Sequence, residues 1–240
     1  MTATKQSSSI SENKMGVKNA DIIYPVHLFE NKKNRLFILC GGNTNASQIA
    51  GRIVCDAVQT YFHSFLEDNI TIDFIEKAVR MAEINLSDFI KENANIQGFT
   101  TTLTLFYLAD DGVYLAQIGE SYVGQFRSNE WIYKTIDRSI DRKLYGTNKP
   151  VEINVVTLKD IRNDDRFFLC NNADISLEDE KIIATLMEMF PQTEGCLFEI
   201  KKYYQQKYNK PFSGHLIPIE QIREPQTMKQ WLNSLVNSII

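Results

Sequence analysis

Residues 166–176 read RFFLCNNADIS. Four apolar side chains, Phe167 to Cys170, predict a buried strand that stops on the polar cluster Asn171, Asn172, Ala173 and Asp174. Such a strand end suits a metal ion or a catalytic group, because a rigid element fixes the side chains it presents. Hard divalent cations take oxygen ligands and favour carboxylates. Here two neutral amides stand where carboxylates would be wanted. Asp174, one step farther on, has two readings: a relocated ligand, or a cap for the turn or helix that follows. Asp164 and Asp165 form a dyad in sequence, yet they belong to the turn signal before the strand. Asp21 is a lone carboxylate, which could hold one ion or be a solvated or hydrogen-bonded group. The histidines His27, His63 and His215 have no partner at ligand spacing, so packed or surface side chains are expected. Cys40, Cys55, Cys170 and Cys196 show no Cys-x-x-Cys spacing, which predicts buried, reduced thiols in a cytoplasmic protein. No Cys–His pair for nucleophilic chemistry is readable beside Cys170.

The elements that position these residues follow from periodicity. Residues 36–40 (LFILC) form a second continuous apolar run, a central strand ending on Gly41 and Gly42. A helix is predicted from Ala46 to Leu66, with Ala50, Val54, Ala57 and Tyr61 at helical spacing. A second follows the N-cap candidate Thr71 and carries Ile75, Val79, Ala82, Leu86 and Phe89 on one face. Residues 98–109 (GFTTTLTLFYLA) reach the turn Asp110, Asp111, Gly112. VYLAQIG, YVGQF and WIYKT follow at short intervals and predict an antiparallel meander. Further strands are expected at Val151–Leu158 and Arg166–Cys170. Ser176 and Asp179 make a weak capping box for a helix carrying Ile182 and Leu186. A helix over Gly195–Tyr208 and a strand at His215–Ile219 complete the pattern. Strands, two helices, many strands, two helices and a closing strand predict an α+β fold of packed sheets with helices outside.

Composition sets the outer limits. The chain has 240 residues, 43% hydrophobic and 23% charged, ordinary values for a globular protein. A net charge of -4 and a pI near 5.5 argue against nucleic acid as a partner. No apolar run approaches the roughly 20 residues that span a bilayer, so no membrane association is expected. Residues 1–15, polar and Ser-rich without an apolar core, read as a disordered tail rather than a secretory signal. Residues 16–219 then form one domain. Residues 220–240 form a C-terminal extension with Met228, Leu232, Leu235 and Ile239 on one face: a helix docked on its own domain, a partner-binding helix or a self-association face.

Taken in order, these landmarks resemble the metal-dependent PP2C (PPM-type) serine/threonine phosphatases, from about Gly16 to Ile219. LFILCGG stands where that family has a strand ending in Asp-Gly. GFTTTLTLFYLADDGVYLAQIGESYVG is similar to its Gly-Thr-Thr strand, hairpin and VGDSR turn, with Gly119 to Tyr122 at the turn. Thr135 to Ser139 resembles its T-x-D-H-S segment, Leu144 and Gly146 follow as a Leu-Gly pair, and DDRFFLCNNADIS resembles its S-D-G strand end.

The resemblance implies a four-layer α-β-β-α sandwich of two packed antiparallel sheets. It also implies a site with two Mn²⁺ or Mg²⁺ ions, whose bridging water attacks phosphorus. The positions that would build that site are altered here. Gly16 falls on the phosphate-clamping arginine, Ala20 on the metal-binding glutamate next to the retained Asp21, and Gly41 on the bridging aspartate beside Gly42. Asn172 falls on the S-D-G aspartate, and Lys210 on the last ligand if residues 210–213 form that segment. Glycine and alanine cannot ligate, an amide lacks the charge, and lysine brings the wrong one. The loss of the arginine also removes a bidentate phosphate clamp. The expectation is a catalytically inactive pseudophosphatase that binds no cofactor and serves as a regulatory module for a protein partner, its oligomeric state open. The alternatives are a weakly active phosphatase with a remodelled Mn or Mg site using Asp21 and Asp174, or a cleft binding a small anion or nucleotide near Lys18 or Lys210. Gly41 and Asn172 are expected close together at one end of the sandwich.

Overall fold

The computed structural model describes residues 8–11, 22–26, 36–42, 44–65, 70–94, 97–109, 111–135, 144, 146, 153–171, 175–210 and 212–219. Its first half contains β1 (Ser8–Ser11), β2 (Ile22–Val26), β3 (Leu36–Gly41), α1 (Asn45–Phe65), α2 (Ile72–Glu92), β4 (Thr102–Ala109) and β5 (Gly112–Ile118). Then follow β6 (Tyr122–Arg127), β7 (Glu130–Lys134), β8 (Asn154–Leu158), β9 (Arg166–Cys170), α3 (Leu177–Met189), α4 (Thr193–Tyr208) and β10 (Ser213–Pro218).

The strands make two antiparallel sheets, ordered β1-β10-β9-β6-β7 and β2-β3-β4-β5-β8. Alternation within each strand decides what faces what. Leu36, Ile38 and Cys40 of β3 point outward onto α1 and α2, meeting Val54, Val58, Val79 and Leu86. Phe37 of the same strand points inward, where Phe106 and Leu115 meet Val123, Phe167, Leu169 and Ile217 of the other sheet. The outer face of that second sheet packs Tyr122 and Phe168 on Ile183, Leu197 and Tyr204 of α3 and α4. The result is the expected α-β-β-α sandwich with three apolar layers.

Local signals explain the boundaries. Thr71 caps α2 by accepting from Phe74 N at 3.2 Å. The capping box at Ser176 and Asp179 forms as read, with both reciprocal bonds present. Gly112, at φ 149°, closes the β4–β5 hairpin, and a Cβ there would come within 2.4 Å of Leu158 O.

Three expectations are corrected. The strands after Gly112 do not form one meander: β5 pairs with β4 and β8, whereas β6 pairs with β7 and β9, so the chain changes sheet at Gly119–Ser121. The core-facing pair of α3 is Ile183 and Met187, one position along from Ile182 and Leu186, which are only half-buried. Residues 8–11, within the stretch read as a tail, pair with β10 as its outer neighbour. Backbone pairing with an open sheet edge needs no apolar signature, which is why composition alone did not reveal this strand. The C-terminal extension from residue 220 lies outside the described residues.

Candidate functional site

The expected site is built where strands from both sheets end. β3 terminates at Gly41, which is buried and pairs with Thr102. Its carbonyl accepts a hydrogen bond from Thr101 Oγ1 at 3.1 Å, and Thr101 in turn bridges Leu144 through two backbone bonds of 2.9 and 3.2 Å. Gly42 has no room for a side chain, because a Cβ there would lie 2.2 Å from Ser47 Cβ. Ser47 belongs to the first turn of α1, where its backbone N–H donates to Thr44 Oγ1 at 3.0 Å. Thr44 therefore acts as the N-cap that brings the helix hard against the strand end.

In the other sheet β9 ends at Cys170. Asn171 N donates to Ser213 O at 3.3 Å, placing the start of β10 beside it. Lys210 is exposed, just beyond the left-handed C-cap Asn209 (φ 49°) of α4. The turn Gly119–Ser121 joins the two halves. Ile118 pairs with Leu103, itself opposite Cys40, while Tyr122 pairs with Cys170. Gly41 and Asn171 thus share one end of the sandwich. Gly16, Ala20, Asp21, Asn172 and Asp174 lie outside the described residues, and so does the expected approach of Gly41 to Asn172.

Beneath this end lies a buried cluster of hydroxyls and an amide that bridges the two sheets. Ser121 Oγ meets Thr104 Oγ1, and Gln117 Nε2 donates to Ser121 Oγ at 2.9 Å. Thr135 Oγ1 accepts from Val123 N at 3.1 Å. These groups satisfy one another and supply neither a carboxylate nor a base. Among the described residues no three His, Cys, Asp or Glu side chains converge as a metal-binding group.

The densest charged networks among the described residues lie elsewhere, and sequence reading missed them. Asp165, fully buried, accepts Arg127 Nε at 2.6 Å and Arg127 Nη2 at 2.8 Å, with Gln125 Nε2 and Arg162 N each at 2.8 Å. It precedes β9 and so marks the pole opposite Asn171. Asp179, also fully buried, binds α3 to α4 through Tyr203 OH and Tyr208 OH at 2.6 Å each and Lys207 Nζ at 2.8 Å. Burial raises the Asp179 carboxyl, but the bonds from Lys207, Ser176, Tyr203 and Tyr208 outweigh it and hold the group well below the usual carboxylate range. Glu180 accepts Lys134 Nζ at 2.7 Å and Tyr122 OH at 3.3 Å. No spacing rule could have paired residues 24 to 58 positions apart.

His215 sits between the sheets, its ring edge-on to Phe37 at 5.7 Å, and burial depresses its pKa to about 4 against a hydrogen bond to the Ile38 backbone. None of the four cysteines forms a disulfide, and all are buried. Burial, aided by Cys40 at 3.4 Å, pushes the Cys55 thiol well up, and burial pushes Cys196 up to about 11. Neither is a thiolate nucleophile at neutral pH. Among the described residues no helix is long and apolar enough to cross a membrane.

The sequence matches no protein-family model and no curated protein. Solved structures do match over nearly the whole chain. A bacterial serine phosphatase superposes with a TM-score of 0.76 at 16% identity, covering 90% of this chain and 98% of its own. Stp1 from Staphylococcus aureus, a serine/threonine phosphatase, gives 0.73 at 18% identity over 91% and 96%. The Mycobacterium tuberculosis serine/threonine phosphatase PstP gives 0.71 at 19% identity over 90% and 98%, and its catalytic domain has been seen with two manganese ions. Sheet order, helix layers and shared structure agree: this chain has the fold of the PP2C (PPM-type) serine/threonine phosphatases.

Proposed function

We propose that the chain is a phosphatase-fold protein without metal-dependent hydrolytic activity, which works as a regulatory module by binding another protein. Gly41 carries the argument. By the sequence resemblance it falls on the bridging carboxylate, and it is buried, offers no side chain, and has its carbonyl engaged by Thr101. The neighbouring Gly42 is packed against Ser47, so no side chain from that position can stand in. Beneath this end the Ser121 and Thr104 hydroxyls and the Gln117 amide bond one another, and among the described residues no three His, Cys, Asp or Glu side chains converge. Two manganese ions of the kind held by the PstP catalytic domain need several anionic oxygens, and the described residues at this end do not bring such a set together. The sequence points the same way at Ala20, Asn172 and Lys210. A cytoplasmic setting belongs to the proposal, and four buried cysteines outside any disulfide are compatible with it.

The test is a calorimetric Mn²⁺ titration run beside a hydrolysis assay on p-nitrophenyl phosphate and a phosphothreonine peptide. The expected result is no manganese binding at the cleft and no manganese- or magnesium-stimulated turnover. Metal-stimulated turnover that disappears on Asp21→Ala would establish a remodelled active site instead.

A further inference from the structure

The pole opposite Gly41 carries an aromatic cluster with an exposed rim. α1 starts beside Gly41 and, at about 1.5 Å per residue, delivers Phe65 roughly 30 Å away. There Tyr61 lies 5.0 Å from Phe65 and 5.1 Å from Phe74 between ring centroids, and Phe74 meets the buried Phe62 at 5.1 Å. The outer members face solvent: Phe65 is 56% and Ile72 46% exposed. β10 finishes at the same pole, since Pro218 pairs with Arg166 at the start of β9 and Ile219 N donates to Asp165 O at 2.8 Å. From there 21 residues of chain follow, with Met228, Trp231, Leu232, Leu235 and Ile239 at helical spacing.

We propose that segment 227–240 folds back in cis and seats this apolar stripe on Phe65 and Ile72, against the rings of Tyr61 and Phe74. The reach is sufficient. Residues 220–226, extended at about 3.3 Å each, span about 23 Å. Crossing one sheet spacing and one helix diameter takes roughly 20 Å. A second copy of the chain suits the patch poorly, because a stable dimer buries about 800 Å² per partner and a few side chains supply far less. A short tether instead presents the segment at an effective concentration in the millimolar range, so a small patch is enough to hold it. Docked there, the segment leaves the end with Gly41 and Asn171 uncovered.

The test uses the full chain with Asp73→Cys beside the patch and Val236→Cys on the flank of the stripe. The four native thiols are buried, so a short bismaleimide reports on the engineered pair. An intramolecular link between positions 73 and 236 in monomeric protein is the expected product. A covalent dimer through the same positions, or chains modified only singly, overturns the proposal. A second measurement avoids cysteine chemistry. Phe65→Ser with Ile72→Ser should raise acrylamide quenching of Trp231 severalfold, taken as the difference from the same chain carrying Trp231→Phe. Unchanged quenching in a chain with native far-UV dichroism also overturns it.

Discussion

His215 links the interior of the sandwich to solution pH. It is fully buried between the sheets, and its pKa falls to about 4 because the charged ring would be taken out of water. Unfolded, it returns to about 6.5. Above that value both states carry a neutral ring and the group makes no pH-dependent contribution. Below it the unfolded chain binds a proton that the folded chain refuses, so stability falls as pH falls and the loss is complete near pH 4. Each unit is worth about 1.4 kcal/mol, so the whole window costs about 3 kcal/mol and the step from pH 6.5 to 5 about 2 kcal/mol. The comparison is wild type against His215→Leu, which cannot titrate. Urea unfolding at pH 7, 6 and 5 should show the wild-type midpoint dropping farther than the variant's, by roughly 0.7–1 M at pH 5 for slopes of about 2–3 kcal/mol/M. Carboxylates and the other histidines titrate equally in both chains and cancel in the difference. A constant offset between the two proteins from pH 7 to 5 refutes the argument, whatever its size. An offset at pH 7 reports only packing and the lost Ile38 bond.

Gly42→Ala forces a methyl into Ser47, and thermal unfolding should show a loss of about 1–3 kcal/mol that Ser47→Gly partly restores. Asp165→Asn leaves the Arg127 guanidinium without its buried counter-charge and should cost about 3 kcal/mol or more in urea unfolding. Asp160→Ala, which breaks an exposed bond of the same arginine, should cost less than about 1 kcal/mol in that assay.

Much of the scaffold was legible because its signals are local. The runs at Leu36 and Phe167 became fully apolar inner strands, and the periodic faces of α1 and α2 became the buried ones. Caps at Thr71 and Ser176 marked helix starts within a residue. What sequence did not reveal was pairing at a distance. Hairpin-length spacing looks the same whether the next strand stays in its sheet or leaves it, so the crossing at Gly119–Ser121 was invisible. Arg127 and Asp165 find each other only once β6 lies beside β9, and Asp179 finds Tyr203, Lys207 and Tyr208 only once α3 lies on α4. At the candidate site, the strand end at Gly41 was placed correctly because one apolar run defines it. Ser47 as the neighbour that bars a side chain at Gly42 was not foreseen, since the periodicity that predicts a helix does not say how closely it approaches the strand before it.

The division of strands between the sheets also sets a timetable for the nascent chain. The β2-β3-β4-β5-β8 sheet has all its strands once Leu158 has been made, whereas β10, the partner of both β9 and β1, ends at Pro218. At roughly 5–20 residues per second, the ribosome needs about 3–12 s for those 60 or so residues. Until the end of that interval Phe37, Phe106 and Leu115 belong to an inner layer whose member from β10, Ile217, has yet to be made. Such an incompletely covered sheet invites aggregation, so slowed translation beyond Leu158 should deepen dependence on a ribosome-associated chaperone.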